Sequence, residues 1–417
     1  MKRVLLQTIT LLLPIIALIM LVSSCSKSDS DGNLPSPNIL LLRDGFVPDG
    51  YLWHFSDKWI SDDDFDLLVA ALDTRASSES EVVYLEMTNI TEIPAAAFEG
   101  AKSYFILEAP VATAVGDSAF KGTRIYALLS MDDMSDTAYN FTVESTKSTS
   151  DISLPVVNML SLTTIGNSAF SECDNLVTLS TLATEIGERS FADNRWLKYL
   201  EMTKVESIGD GAFADCPTLG TESEIETENL TSNCISLLTA KNIGSQIFED
   251  TPIDSVIIGS LDDITGDSFA NSDITSIYLS SLTATNKLNS DEGVVYDGKG
   301  LKTILDTLIP TGGEITLDSD TNAILERACS HNTKLTHLTA AGVTTIGANA
   351  FASCNLEQLT LATNSGCKLT SIDETAFTDT ETKDIELFIG SENSSLKSGD
   401  ILKVGSVEFI FKSITIQ

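Results

Sequence analysis

The chain has 417 residues, 60 acidic against 25 basic, with a formal net charge of −35, 42% hydrophobic and 7% aromatic content. A chain this acidic repels phosphate and carries no basic stripe to release counterions, which excludes a nucleic-acid partner. Its length and apolar content support a large core, so the seven cysteines are not needed as a disulfide framework.

Residues 1–24 start with Lys2 and Arg3, run apolar from Leu11 to Val22, and end on Ser23 and Ser24 before Cys25. This is the order of a signal peptide, and the apolar run is shorter than the ~20 residues a membrane span needs. The small pair before Cys25 resembles the lipobox of bacterial lipoproteins, which implies Cys25 as the lipidated N-terminus and a membrane anchor through that lipid. Loss of residues 1–24 removes two positive charges and leaves the mature chain near −37. Ser26 to Asn33 is too polar to pack, and Pro35 and Pro37 follow, so residues 25–45 read as a flexible tether. The acidic stretch after Cys25 resembles the signal that sends some lipoproteins to the cell's outer face. That resemblance implies an outer-membrane lipoprotein of a Gram-negative bacterium, facing the exterior.

Residues 46–80 read as an N-terminal cap. Ser61 to Leu72 has a serine cap, Asp62, Asp63 and Asp64 in the first turn and an apolar tail, which predicts a short helix. Trp53, Phe55 and Trp59 precede it and are expected to pack against the same end.

From residue 81 to 389 one pattern recurs, an Ile followed five residues later by Phe, in its fullest form Ile-Gly-x-x-Ala-Phe. It stands at Ile93 to Phe98, Val115 to Phe120, Ile165 to Phe170, Ile186 to Phe191, Ile208 to Phe213, Ile243 to Phe248, Ile264 to Phe269, Ile346 to Phe351 and Ile372 to Phe377, with Cys329 replacing Phe after Ile324. Regular copies are about 22 residues apart, inside the range of leucine-rich repeats. In the coil from Trp196, Leu200 and Met202 alternate with Tyr199 and Glu201, which predicts a half-buried strand. Gly209 is expected to permit a turn, and Asp210 to Phe213 to form one helical turn that returns Phe213 to the interior. No coil buries its apolar side alone, so neighbours share one core.

Insertions fall near 131–160, 217–235 and 285–320. The first has room for one worn coil; in the third, Asp291 to Asp297 followed by Leu301, Ile304 and Leu305 predicts a hairpin. Residues 390–417 read as a C-terminal cap, a hairpin of Ile401–Val404 and Val407–Phe411 around Gly405 and Ser406. Cys173, Cys216 and Cys354 each follow a repeat phenylalanine by three residues and read as small buried hydrophobes. Cys173 and Cys216 lie two coils apart, about 10 Å at the ~4.8 Å strand spacing, too far to bridge. The pairing of Cys234 and Cys367 stays open.

These motifs resemble the BspA-like leucine-rich repeat family of bacterial surface proteins over roughly residues 81–389. The repeat, Leu-x-x-Leu-x-Leu then Ile-Gly-x-x-Ala-Phe-x-x-Cys, stands nearly complete in Leu335 to Cys354. The resemblance implies a repeat solenoid of ~22-residue coils with short parallel strands, and a cell-surface adhesin or host-protein binder without a named partner.

Three histidines, His54, His331 and His337, stand without a Gly-x-Ser-x-Gly elbow or a His-Glu-x-x-His pair. Neither phosphate-cradling glycine loops nor Cys-x-x-Cys pairs occur, and Asp318 to Asn322 lacks the glycine and spacing of an EF-hand. The expectation is a non-enzymatic protein with no catalytic residue, metal or cofactor. Function then falls to outward strand side chains, candidates being Tyr84, Glu86, Glu108, Tyr199, Glu201, Tyr278, His337 and Gln358, with Ile106, Thr178, Ser180, Ser255, Ile257, Ser276, Thr339 and Thr360 in the same phase. Such a strip suits a protein or glycan ligand, with the tyrosines as anchors. The alternatives are that these side chains merely cover a sheet, or that the protein is an envelope scaffold or a glycan-handling accessory lipoprotein.

Overall fold

The computed structural model describes residues 37–48, 52–55, 60–75, 82–129, 156–159, 161–173, 175–220, 233–279 and 293–417. The expected signal peptide, Cys25 and Trp59 lie outside these residues.

Each coil contributes an outward strand of about four residues, a two-residue strand ending on the repeat Ile, and a turn that carries Phe inward. Seven outward strands form one parallel sheet in chain order: β1 (Leu52–Phe55), β2 (Val82–Met87), β3 (Tyr104–Glu108), β4 (Arg124–Leu129), β5 (Val156–Met159), β6 (Thr178–Thr181) and β7 (Tyr199–Met202). A second parallel sheet holds β8 (Cys234–Leu237), β9 (Ser255–Ile258) and β10 (Ser276–Leu279). The predicted hairpin in the third insertion is present as β11 (Val294–Asp297) and β12 (Gly300–Ile304), and Leu301 pairs in parallel with Ile324 of the next coil. A third outward sheet holds β13 (Glu314–Thr316), β14 (His337–Ala340), β15 (Gln358–Leu361) and β16 (Glu386–Ile389). The C-terminal hairpin, β17 (Ile401–Val404) and β18 (Val407–Ile410), turns at Gly405 with φ +65°, and β19 (Ser413–Ile416) closes the third sheet against β16.

Behind the first sheet the repeat aliphatics pair coil to coil, Val115 with Ile165, Ile165 with Ile186, Ile186 with Ile208 and Ile208 with Ile243. The phenylalanines form a column: Phe98, Phe120, Phe170, Phe191, Phe213 and Phe248 stack at centroid distances of 5.2, 5.0, 5.2, 5.6 and 5.8 Å. Phe351 and Phe377 continue it at 5.1 Å. The five-residue offset is what puts Ile in the second sheet and Phe in the column of every coil.

Two local expectations are corrected. The return is not a helical turn but a pair of tight turns with left-handed residues four apart, for example Arg189 (φ 48°) with Asp193 (φ 61°) and Ser168 (φ 53°) with Glu172 (φ 60°). That conformation costs roughly 1–2 kcal/mol per residue, and the offset is a backbone ladder, in which Arg189 N–H donates to Asp210 C=O at 2.9 Å and Asp193 N–H to Ala214 C=O at 2.9 Å in the next coil. The repeat glycine is likewise not there for its φ. A Cβ on Gly209 would stand 2.4 Å from Glu188 N and 2.6 Å from Gly187 C, so glycine is set by the close approach of the preceding coil.

The N-terminal cap starts earlier than the sequence suggested. Within the expected tether, α1 (Pro37–Arg43) is a helix that buries Ile39 and Leu42 in the core, because one face of this short run is apolar. It packs on α2 (Asp62–Arg75), the predicted cap helix, whose Phe65 meets Phe98 edge-on at 5.4 Å, and Trp53 and Phe55 are fully buried beside it. Asp64 ties the cap together: its carboxylate accepts from Arg43 Nε and Nη2 at 2.7 and 2.6 Å and from Ser61 N–H and Oγ at 2.7 Å each. The Arg43 guanidinium, then Ser61, hold its pKa at about 2 against burial. A depressed carboxyl gives stability that is complete above about pH 4 and lost as pH falls toward 2, here on the order of 2 kcal/mol. Asp64→Asn should therefore lower the melting temperature at pH 7 and flatten the acid limb between pH 4 and 2 in thermal melts; an unchanged acid limb would refute the assignment.

All six described cysteines are free thiols, including Cys234 and Cys367. Cys173 and Cys216 donate from Sγ to the carbonyls of Phe120 and Phe191 in the preceding coils, both at 3.2 Å. Burial pushes the Cys216 thiol up to about 12 and Cys234 to about 11, so neither is a ready nucleophile.

Candidate binding surface

Parallel pairing sets outward side chains into rows that cross the strands. In the first sheet one row runs His54, Glu86, Glu108, and farther on Ser180 and Glu201; the next holds Tyr84, Ile106, Ala127, Thr178 and Tyr199. Seven strands at ~4.8 Å make this face about 29 Å across. The third sheet repeats the arrangement with Glu314, His337, Gln358 and Glu386 in register.

The structure brings Tyr84, Glu86 and Glu108 together. Tyr84 Oη donates to the Glu108 carboxylate, and His54 Nδ1 lies 3.0 Å from Glu86. Burial, and then the Glu108 bond, raise the Tyr84 pKa; burial, with Glu86 adding to it against the Tyr84 bond, raises Glu108. Beside them Val82, Ile106 and Ala127 form an apolar cluster covered by half-buried Tyr84, Tyr104 and Tyr126. Tyr104 and Tyr126 are 5.5 Å apart, and the Arg124 guanidinium sits 5.5 Å over the Tyr104 ring. His54, Tyr104, Tyr126 and Arg124 were missed by the sequence reading. Tyr104 was findable by extending the Ile106 and Glu108 alternation back two residues, whereas Tyr126 falls at a register shift that no periodicity reveals.

The other candidates lie apart. Tyr199 and Glu201 sit at the far edge of the first sheet, where Ser180 Oγ donates to Glu201 at 2.9 Å. His337 and Gln358 are register partners in the third sheet, and His337 Nδ1 meets Thr336 Oγ1 at 2.9 Å. Two candidates are corrected as exposed residues. Glu108 is only 5% exposed, because the tyrosine hydroxyl and its neighbours on a wide sheet enclose it. Tyr278 is 7% exposed, because its row partner Ile257 and Cys234 pack with it on the outer side of the second sheet. Ile106, Ser255, Ile257, Ser276 and Thr360 are buried for the same reason: an outward position beside large neighbours is still covered.

A second polar site lies where the 264–269 coil meets the 324–329 coil, a cleft of about 410 Å³ bordered by Arg189, Asp210, Ser245, Arg327, His331 and Asp379 among others. Asp267, 2% exposed, accepts from Ser245 Oγ at 3.0 Å and Thr265 Oγ1 at 2.8 Å and lies 3.4 Å from His331 Nδ1. Burial works to raise the Asp267 carboxyl, yet His331, Thr265 and Arg327 hold it low, while Asp267 raises His331. Ser330 Oγ is 2.9 Å from the same His331 Nδ1. Hydroxyl and carboxylate thus share one nitrogen, whereas a proton relay needs them on opposite ring nitrogens. The cluster joins two coils and does not form a nucleophilic triad. Among the described residues no three His, Cys, Asp or Glu side chains gather as metal ligands would, and no helix is long and apolar enough to cross a membrane.

Residues 91–220, 204–290 and 313–400 match the BspA type leucine rich repeat region, in six copies. No curated protein matches the chain in sequence. Among solved structures, a leucine rich cell surface protein from Faecalibacterium prausnitzii is 15% identical over 73% of this chain and 78% of that one, with a TM-score of 0.37. A leucine-rich repeat protein from Eubacterium ventriosum is 18% identical over 58% and 67%, TM-score 0.37. One from Bacteroides ovatus is 17% identical over 75% and 80%, TM-score 0.31. With the family's repeat matched over more than half its length and a stack of coils of that period, the chain belongs to the BspA type leucine-rich repeat family.

Proposed function

We propose that this is a non-enzymatic surface lipoprotein, anchored through Cys25 in the outer membrane of a Gram-negative cell, whose first sheet binds a host or neighbouring-cell protein or glycan. The observation that carries the reading is the outer-face cluster of Tyr84, Tyr104 and Tyr126 over Val82, Ile106 and Ala127, bordered by Glu86 and Glu108. Half-buried aromatic rings lose little conformational freedom on contact and contribute disproportionately to interface energy. The Glu86 carboxylate accepts hydrogen bonds from sugar hydroxyls or from basic side chains, in keeping with a chain of net charge −35, while buried Glu108 holds the Tyr84 hydroxyl in place. The signal-like start and the small pair before Cys25 support export and lipidation.

The test is an array of matrix proteins, mucins and glycans probed with the mature protein. A saturable ligand is expected, bound about 30-fold more weakly after Tyr104→Ala with Tyr126→Ala, the size of a hot-spot loss near 2 kcal/mol. An array without a ligand, or one bound equally by the double variant, would reject the reading. Metabolic palmitate labelling that vanishes in Cys25→Ser, and protease shaving of intact cells, test the anchor and the outward orientation.

A further inference from the structure

Where the 264–269 coil faces the 324–329 coil, the bonds that repeat along the rest of the stack give way to others. The stacked phenylalanines stop at Phe248 and resume at Phe351, with Cys329 in the ring's place in the coil before Phe351. The buried apolar side chains fall into two clusters on either side, one holding Ile243, Ile264 and Phe269, the other Ile324, Cys329 and Ile346. The β11–β12 hairpin stitches them, Val295 belonging to the first cluster and Val294 and Leu301 to the second. The turn ladder changes as well. Gln246 and Asp250 N–H donate to the carbonyls of Asp267 and Asn271, and Arg327 and His331 N–H to those of Ala348 and Ala352. Between these two pairs, Asn271 N–H donates instead to the Asp306 carboxylate at 2.8 Å.

Side chains cross the junction in place of the ladder. Arg327 Nη1 donates to Ser245 Oγ at 2.8 Å and lies 3.8 Å from Asp267, whose other oxygen lies 3.4 Å from His331 Nδ1. Thr307 Oγ1 donates to Ile274 C=O at 3.0 Å. Asp306 is 2% exposed, and its Oδ1 has no hydrogen-bond partner among the described residues, an environment that favours the neutral acid. Burial pushes its carboxyl up to about 6 against the Asn271 N–H and Lys334, and the Cys329 thiol also lies within reach of its charge. At His331 the Asp267 carboxylate, with Glu249 adding to it, favours the imidazolium against burial and Arg327.

Both groups hold a proton more tightly in the closed junction than in water. Their stabilisation is complete below their ordinary values and is lost as pH rises, through about 6 for Asp306 and from 6.5 upward for His331. Asp267 sets the lower limit, because His331, Thr265 and Arg327 hold its carboxyl below the usual 3.8, so its share is lost only in stronger acid.

We propose that this junction is a pH-sensitive joint, closed in mildly acidic medium by the Asp306 carboxylic acid and the Asp267–His331 pair and loosened as the medium turns neutral and then alkaline. The candidate rows on the first and third outward sheets lie on opposite sides of it, so the joint decides whether they act as one surface. A stack held by nearest-neighbour contacts opens first at its weakest layer, and here that layer carries ionisable groups.

The test is hydrogen exchange by mass spectrometry on the mature protein at pH 5 and pH 8, with protection corrected for the intrinsic rate. Protection of the Asn271 amide should fall about tenfold at pH 8, the size that a carboxyl at about 6 against an ordinary 3.8 gives over that interval. The Phe170 amide, bonded to Ser190 C=O several coils away, should keep its protection. Asp306→Asn is neutral at every pH and should raise Asn271 protection at pH 8 toward the pH 5 value, a gain that a damaged core cannot produce. Should that variant fail to fold, His331→Gln carries the proposal, with lower protection at pH 5 and a smaller fall toward pH 8. Equal protection at the two pH values, an equal fall at Phe170, or an undiminished fall in the folded variants would overturn it.

Discussion

Phe191→Ala should destabilise the protein by ~3–5 kcal/mol, the range for truncating a fully buried aromatic in a core that cannot collapse around the loss. The ring lies between Phe170 at 5.2 Å and Phe213 at 5.6 Å, nearly parallel to both. Both neighbours are fixed by their own backbone ladders, Phe170 N–H donating to Ser190 C=O at 2.7 Å and Phe213 N–H to Ile247 C=O at 3.0 Å. The coils therefore cannot slide together to fill the space. In a stack stabilised by nearest neighbours the loss also weakens the coupling between the two halves of the array. Urea unfolding followed by far-UV circular dichroism should show a lower midpoint and a broader transition; a loss below about 1 kcal/mol would mean that the column does not carry the core.

Gly209→Ala should cost about 3 kcal/mol through overpacking. The added methyl would stand within 2.8 Å of three backbone atoms of the preceding coil, none of them the movable end of a side chain. Gly100→Ala is the control. Gly100 has φ +70° and open space around its Cβ direction, so its substitution carries only the left-handed penalty of roughly 1–2 kcal/mol. Urea midpoints of the two variants, measured together, separate contact from conformation. Equal losses would show that the coils are less tightly apposed than the backbone distances indicate.

The contrast between these glycines marks where sequence reading stops. Gly209 and Gly100 are the same letter, and the expectation of a turn at Gly209 assigned the right residue the wrong cause, because its constraint comes from a coil about 20 residues earlier. Strand phase behaved similarly. Alternation placed Leu85 and Met87 in the core and Tyr84 and Glu86 outside, and the structure agrees. The same alternation placed Glu108 and Tyr278 outside, where lateral neighbours from adjoining strands cover them. Periodicity within one strand carries no information about the height of side chains on the next. The short helix α1 was hidden because seven residues give too little period to weigh against the flanking polar tether, and it is tertiary docking, through Ile39 and Leu42 in the core and Arg43 on Asp64, that stabilises it.

By itself the sequence determined the coil: one Ile and one Phe at fixed offset, repeated, place each residue in a sheet or a column whatever lies between copies. Which outward side chains stay exposed, and which strands neighbour one another in the outward sheets of the described residues, were decided only in three dimensions. The phenylalanine column and the two-residue ladder fix successive layers, whereas the outward neighbour of a strand can come from another stretch of chain, as β4 stands between β3 and β5 while Phe120 and Phe170 stay in contact.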